Sequence, residues 1–352
     1  MDSNYQRSEN ELVHALNTIT AWHSFWDPRV LTNPIRPFVQ KYYSRVMDRC
    51  IRKELDKRFA EMKHQSHSSS SKRIKSVIAL ALEAYLADHT QKASETNKLD
   101  DVFANYATHQ IRLFLFAGND TTSSSMVYVY HMLSKHSAAL AQVRQEHDRI
   151  FGPDASAAAQ LLKSNPALLN RCPYTLAVIK ETLRLFPPAS TTRQGLNDII
   201  LTDRHGNLYP LDREMGAEIV HPTVQKNPRI WPHAEKFLPE RWLVDAEHEL
   251  YPNPAAFRPF EQGPRSCIGQ NLVYNEMRIL LVMTARVFDI KPAYDEWDAM
   301  KLANEGPLPK LARFVGLGGN RIKTVHGERA YQTEKAGTHP ADGYPCRVSL
   351  SQ

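Results

Sequence analysis

What the chain lacks narrows its class first. Its 352 residues hold only four cysteines, at 50, 172, 267 and 346, and no two of them form a C-x-x-C pair. Such spacing argues against a disulfide framework and against a structural zinc site, and suits a reducing compartment. No run reaches the roughly eighteen apolar residues of a membrane span. The most apolar stretches, "VIALAL" (77–82) and "IRLFLFAG" (111–118), are short and bounded by charge. The opening "MDSNYQRSENEL" has no apolar h-region, so the sequence reads as a soluble product without a secretory signal. Nor is there a block of one charge sign. Lys and Arg number 44 against 38 Asp and Glu, which leaves a net charge of +6. Scatter of this kind points away from a nucleic-acid stripe and towards a basic surface. Plain solubility and docking of an acidic protein partner explain that surface equally well.

What is present is mostly helical in pattern. Between 33 and 63, apolar residues recur three and four apart: Val39, Tyr42, Tyr43, Val46, Cys50, Ile51, Leu55, Phe59 and Met62. The stretch "HQSHSSSSKR" (64–73) reads as a flexible polar loop, and a short helix is expected over 74–88. Asp100 or Asp101 can cap a long helix over 101–136, with further helix to about Ile150. Another helix, 174–186, is stopped by Pro187 and Pro188. A hairpin is expected around Gly206-Asn207, then a helix over 269–288, and a loop-rich tail over 325–352. With no internal repeat and no linker, the sequence predicts one mainly α domain with small β-sheets.

Inside the long helix lies "AGNDTTSSS" (117–125). Eight consecutive poor helix formers there cost about 4 kcal/mol against alanine, at about half a kcal/mol each. Propensity favours a loop. Periodicity favours a helix, because Phe103, Ala107, Gln110, Phe114, Ala117 and Thr121 keep one face. A local rule broken within a long element marks a functional stretch. Ala117 and Gly118 are small enough for something large to lie against them. Asp120 beside Thr121 sets an ionisable acid next to a hydroxyl, a minimal proton relay, although a solvated aspartate explains Asp120 taken alone.

Two further stretches carry charge in apolar settings. Glu181 and Arg184, in "KETLRL" (180–185), stand three apart on one helix face. Flanking Val178, Ile179, Leu183, Leu185 and Phe186 turn the pair inward, where it needs further partners. Arg241, in "FLPERW" (237–242), is one candidate. The other stretch is "FEQGPRSCIG" (260–269), which sets Cys267 at the mouth of a helix beside Arg265. Unpaired N–H groups and positive potential at a helix start favour a thiolate. Gly263 and Gly269 let the backbone turn and approach a flat partner. No further zinc ligands have the spacing, and a nucleophile would need a base, for which His221 and His233 lack motif support. A thiolate metal ligand fits this setting, and haem iron is one metal held that way.

The four stretches together resemble the cytochromes P-450. Residues 260–269 read as the F-x-x-G-x-R-x-C-x-G haem signature, with Phe260, Gly263, Arg265, Cys267 and Gly269 in place. "ETLR" is similar to the family's E-x-x-R pair, and "PERW" to the segment whose arginine, here Arg241, closes a Glu-Arg-Arg lock. "AGNDTT" resembles its oxygen-binding groove. The style looks like that of fungal secondary-metabolite enzymes.

That resemblance implies a haem-thiolate mono-oxygenase. Cys267 would be the axial ligand of haem (heme b), with Arg265 and Arg193 on the propionates and Ala117 and Gly118 against the ring. Asp120 and Thr121 would be catalytic, delivering protons. Phe114–Thr121, 186–192 and 306–314 would touch an apolar small-molecule substrate. Electrons would come from NADPH through a flavoprotein reductase and meet O2; no nucleic acid is expected. The resemblance runs from about 100 to the end, more loosely from 33. The family's anchor and its propionate-gripping Trp/Arg segment have no counterpart in these residues. The expectation is therefore an N-terminally shortened P-450 domain, cytoplasmic or peripheral at the endoplasmic reticulum. The alternative is a non-catalytic remnant that binds haem poorly.

Overall fold

Eleven α-helices and eight short strands stand among the described residues. The computed structural model describes residues 3–23, 27–65, 77–88, 99–306, 323–335 and 337–351. Where the sequence reads as one domain, the chain packs as two compact units, 1–120 and 121–352, divided within a continuous helix.

The first unit contains α1 (Ser3–Ala21), α2 (Pro28–Leu31), α3 (Arg36–Gln65), α4 (Val77–Asp88) and the first part of α5 (Asp101–Lys135). The buried stripe of α3 is Met47, Ile51, Leu55 and Phe59, each four residues after the last. Three of these four belong to the face expected from spacing; of that face Tyr42 stands out, 63% exposed. Ile51, Leu55 and Phe59 pack with Leu82 and Tyr85 of α4 and with Leu99, Ala104 and Ala107. Ala15, Leu16 and Met47 form a second, smaller cluster. Residues 66–73 of the expected polar loop and 74–76 of the expected helix lie outside the described residues.

Asp100 is the cap of α5, accepting the N–H groups of Val102 at 3.1 Å and Phe103 at 3.0 Å. The helix runs unbroken through 117–125, so periodicity outweighs propensity. Tertiary contacts compensate for the poor helix formers. Ser125 Oγ donates to the Thr121 carbonyl at 2.7 Å, and Ser124 Oγ to the Thr338 carbonyl. Hydroxyls that would otherwise compete with the helix are thereby used inside it.

The second unit is built on α8 (Pro173–Leu185), surrounded by the end of α5, α6 (Ser137–Phe151) and α10 (Gln270–Thr284). Val129, Leu133, Val143, Val178, Ile179, Leu183, Met277 and Leu281 form its centre, all at most 1% exposed. Short helices α7 (Ala158–Ser164), α9 (His221–Gln225) and α11 (Tyr294–Ala303) lie between these elements along the chain. All sheets are antiparallel pairs: β1 (Thr191–Gln194) with β4 (Gly216–Ile219), β2 (Ile200–Thr202) with β3 (Leu208–Pro210), β5 (Phe288–Pro292) with β8 (Cys346–Leu350), and β6 (Gln332–Lys335) with β7 (Gly337–Pro340). The β2–β3 hairpin is the one expected around Gly206-Asn207. The helix expected over 269–288 ends at Thr284, and Phe288 begins strand β5 instead. The tail expected to be loop-rich carries three strands, β6, β7 and β8.

Candidate active site

Helix α8 places Glu181 and Arg184 on its inner face, and the segment Pro239–Trp242 brings Arg241 to them. All three side chains are fully buried. Arg184 grips Glu181 with both ends of its fork, Nε to Oε2 at 3.0 Å and Nη2 to Oε1 at 2.9 Å. Arg241 Nε reaches Oε1 at 3.0 Å. The Leu238 N–H donates to Oε1 at 3.0 Å and Trp242 Nε1 to Oε2 at 3.1 Å. One carboxylate thus accepts five hydrogen bonds.

The second guanidinium charge is met by backbone carbonyls. Arg184 donates to Gln225, Ala234 and Lys236, and Arg241 to Pro232. Trp231 supplies its ring to both cations, 5.2 Å from Arg184 Cζ and 5.7 Å from Arg241 Cζ. A buried ion pair offsets its desolvation only with this degree of satisfaction. Gln225 ties the knot onward, its amide donating to the Leu183 and Arg184 carbonyls while its oxygen accepts from the Arg258 N–H. The spacing "ETLR" pointed to the pair. Nothing local pointed to Gln225 or Trp231, which lie some 40 to 50 residues along the chain.

The loop 260–269 presents Cys267 three residues ahead of α10. Gly263 takes a φ of 80°, the left-handed region that a glycine enters without cost. The Cys267 N–H donates to the Phe260 carbonyl at 2.8 Å, folding the loop back on itself. No acidic side chain stands in the first turn of α10. Cys267 is exposed. A Cβ added at Gly269 would sit 3.7 Å from its Sγ, in ordinary van der Waals contact. Ile268 is 81% exposed and Leu272 68%. An exposed thiol near a glycine, followed along the chain by two exposed aliphatic side chains, suits a flat apolar ligand bound through sulfur. This is the donor chemistry of haem.

The other expected residues are placed as follows. Asp120 is buried, Thr121 half-buried, and Ala117 and Gly118 are exposed. A Cβ added at Gly118 would meet nothing within 4 Å. Arg265 is exposed, and Arg193 lies exposed on β1 with its guanidinium donating to the Thr192 carbonyl at 3.0 Å. Residues 307–314 of the expected substrate contact lie outside the described residues.

A second cluster, Glu146, His147 and Cys172, has the residue types of a metal site. Its bonding shows a different role. The Glu146 carboxylate caps α8, accepting the N–H groups of Tyr174 and Thr175 at 2.8 and 2.9 Å and the Thr175 hydroxyl at 2.6 Å. Burial, with nearby Arg286, brings His147 down to about 4, and burial pushes the Cys172 thiol up to about 12. Both are neutral packing groups at pH 7.

Against this geometry, comparison with known proteins gives one answer. A cytochrome P-450 family model matches residues 1–311, and the chain belongs to that family. It is 40% identical over 352 residues to the cytochrome P-450 monooxygenase polC of Polytolypa hystricis, across 99% of this chain and 59% of the relative. It is 32% identical over 335 residues to the cytochrome P-450 monooxygenase acrF of Aspergillus aculeatus, across 90% of this chain and 62% of the relative. The chain thus spans about three-fifths of the length of these curated relatives. Among the described residues no helix is long and apolar enough to cross a membrane.

Proposed function

We propose that this chain carries the haem-thiolate portion of a mono-oxygenase that oxidises an apolar small molecule in a fungal secondary-metabolite pathway. One observation carries the reading: an exposed Cys267 three residues ahead of a helix, near Gly269 and followed by exposed Ile268 and Leu272. The names of the fungal relatives support it.

Cys267 Sγ would hold the iron. Arg265 and Arg193, both exposed and cationic, would take the propionate charges. Gly118 on α5 would leave space for a large group, with Ala117 beside it. When bound, haem supplies activation of O2 with electrons from NADPH, delivered by a flavoprotein reductase. The protein's own residues have three tasks. The Glu181–Arg184–Arg241 knot fixes the segment 232–242 against α8. Thr121 Oγ1 would pass protons that Asp120 supplies. The Phe114–Thr121 face would orient the substrate and exclude water. The chain would work in the cytoplasm or at the periphery of the endoplasmic reticulum.

The test is turnover of the haem-loaded chain with an NADPH-dependent reductase and candidate apolar substrates under labelled O2. The expected product carries one labelled oxygen. Thr121→Ala should consume NADPH with less product. NADPH consumption without oxygenated product in the parent chain, across substrates taken by the fungal relatives, would overturn the reading.

A further inference from the structure

Glu261 lies inside the cysteine loop and is unusual in two respects. Its φ is 56°, in the left-handed region that a residue with a side chain enters at a cost. Its carboxylate is also buried, with the side chain 7% exposed. Neighbouring groups compensate for both. Arg258 Nε donates to Oε1 at 2.8 Å, and its Nη2 donates to the same oxygen. The Gln262 N–H adds a bond at 3.0 Å, and Thr191 contributes its side chain. His221 Nε2 stands 3.2 Å from Oε2, while its Nδ1 stands 2.8 Å from the Ala189 carbonyl. This 2% exposed ring thus has an oxygen within hydrogen-bond reach of each nitrogen. Burial pushes the Glu261 carboxyl up, but the bonds from Arg258, His221, Gln262 and Thr191 prevail and bring it to about 2.

These contacts bear on the thiol through one peptide. The residue before Glu261 is Phe260, whose carbonyl accepts the Cys267 N–H. The side-chain bonds of Glu261 hold the left-handed turn, and the turn aims that carbonyl. We propose that Arg258, Glu261 and His221 form a clamp that positions Cys267, acting through the Phe260 carbonyl and touching neither substrate nor cofactor. The clamp's use rests on Cys267 being the iron ligand, but the clamp itself is built from this chain alone.

The test separates the two. In the haem-free chain, alkylation of Cys267 by iodoacetamide is followed by peptide mass spectrometry, with exposed Cys346 as internal reference. Glu261→Gln, which loses the charge that pairs with Arg258, should change the Cys267 rate by at least about threefold and leave Cys346 alone, as expected when a locally held loop opens. Glu261→Asp should bring the rate back towards the parent. In haem-loaded protein, Glu261→Gln should move part of the reduced carbon monoxide band from the thiolate to the neutral-thiol position. An unchanged Cys267 rate, or an equal change at Cys346, would overturn the clamp. A parent chain with no thiolate band would overturn the ligand assignment, while the alkylation ratio still decides the clamp.

Discussion

The knot around Glu181 and the loop around Cys267 are both built from motif residues, yet they stand in opposite environments. In the knot, three charged side chains are 0% exposed, and the chain itself supplies their hydrogen bonds at every polar atom but Arg241 Nη1. In the loop, the thiol and two large aliphatic neighbours face outward. All but one of the knot's buried polar atoms are bonded within the protein. The loop is open: its apolar surface and sulfur have partners to gain. Structural and chemical motif residues are thus told apart by what they leave unsatisfied.

Substitutions can break this contrast. Glu181→Ala leaves two buried guanidinium groups without their carboxylate and should cost about 3–5 kcal/mol. Chemical denaturation would show this as a large fall in midpoint, with or without haem. Trp242→Phe removes one of the five donors to Glu181 and should cost only about 1 kcal/mol. Cys267→Ala should move haem-free stability by less than about 0.5 kcal/mol, because the residue is exposed and packs against little. If Cys267→Ala destabilised the haem-free chain as much as Glu181→Ala, the contrast would be lost.

Acid sharpens the same comparison from the side of the loop. The Glu261 carboxyl is held at about 2, below the ordinary 4.5 it has when unfolded. The unfolded chain therefore binds the extra proton first, so this contribution is whole above about 4.5 and is lost as pH falls towards 2. Thermal unfolding of the parent should weaken more than that of Glu261→Gln over this window. A constant difference between the two would contradict the assignment.

Much of this was legible in residue spacing, for physical reasons. The i, i+3 step of Glu181 and Arg184 and their apolar flanks gave both pairing and burial. Period 3.6 carried α5 through 117–125 against its own propensities, since a continuous face reports the packing that offsets them. Arg241 needed the family resemblance, because a contact across 60 residues leaves no periodic trace. The same holds for Gln225, Trp231 and the clamp residue His221. The Glu146 cap of α8 was missed for another reason: a glutamate inside α6 reads as a solvated helix residue until the neighbouring helix start is placed against it. In α3 the buried row began at Met47, which spacing alone had passed over in favour of its neighbour Val46.

We propose Cys267 as an iron ligand presented by a loop that the rest of the chain holds ready. The most direct measurement of this role is the absorbance of the haem-reconstituted chain, reduced and exposed to carbon monoxide, beside Cys267→Ala prepared identically. The account predicts a red-shifted thiolate Soret band in the parent and its complete loss in the variant. A folded parent without that band, or a variant that retains it, would contradict the account.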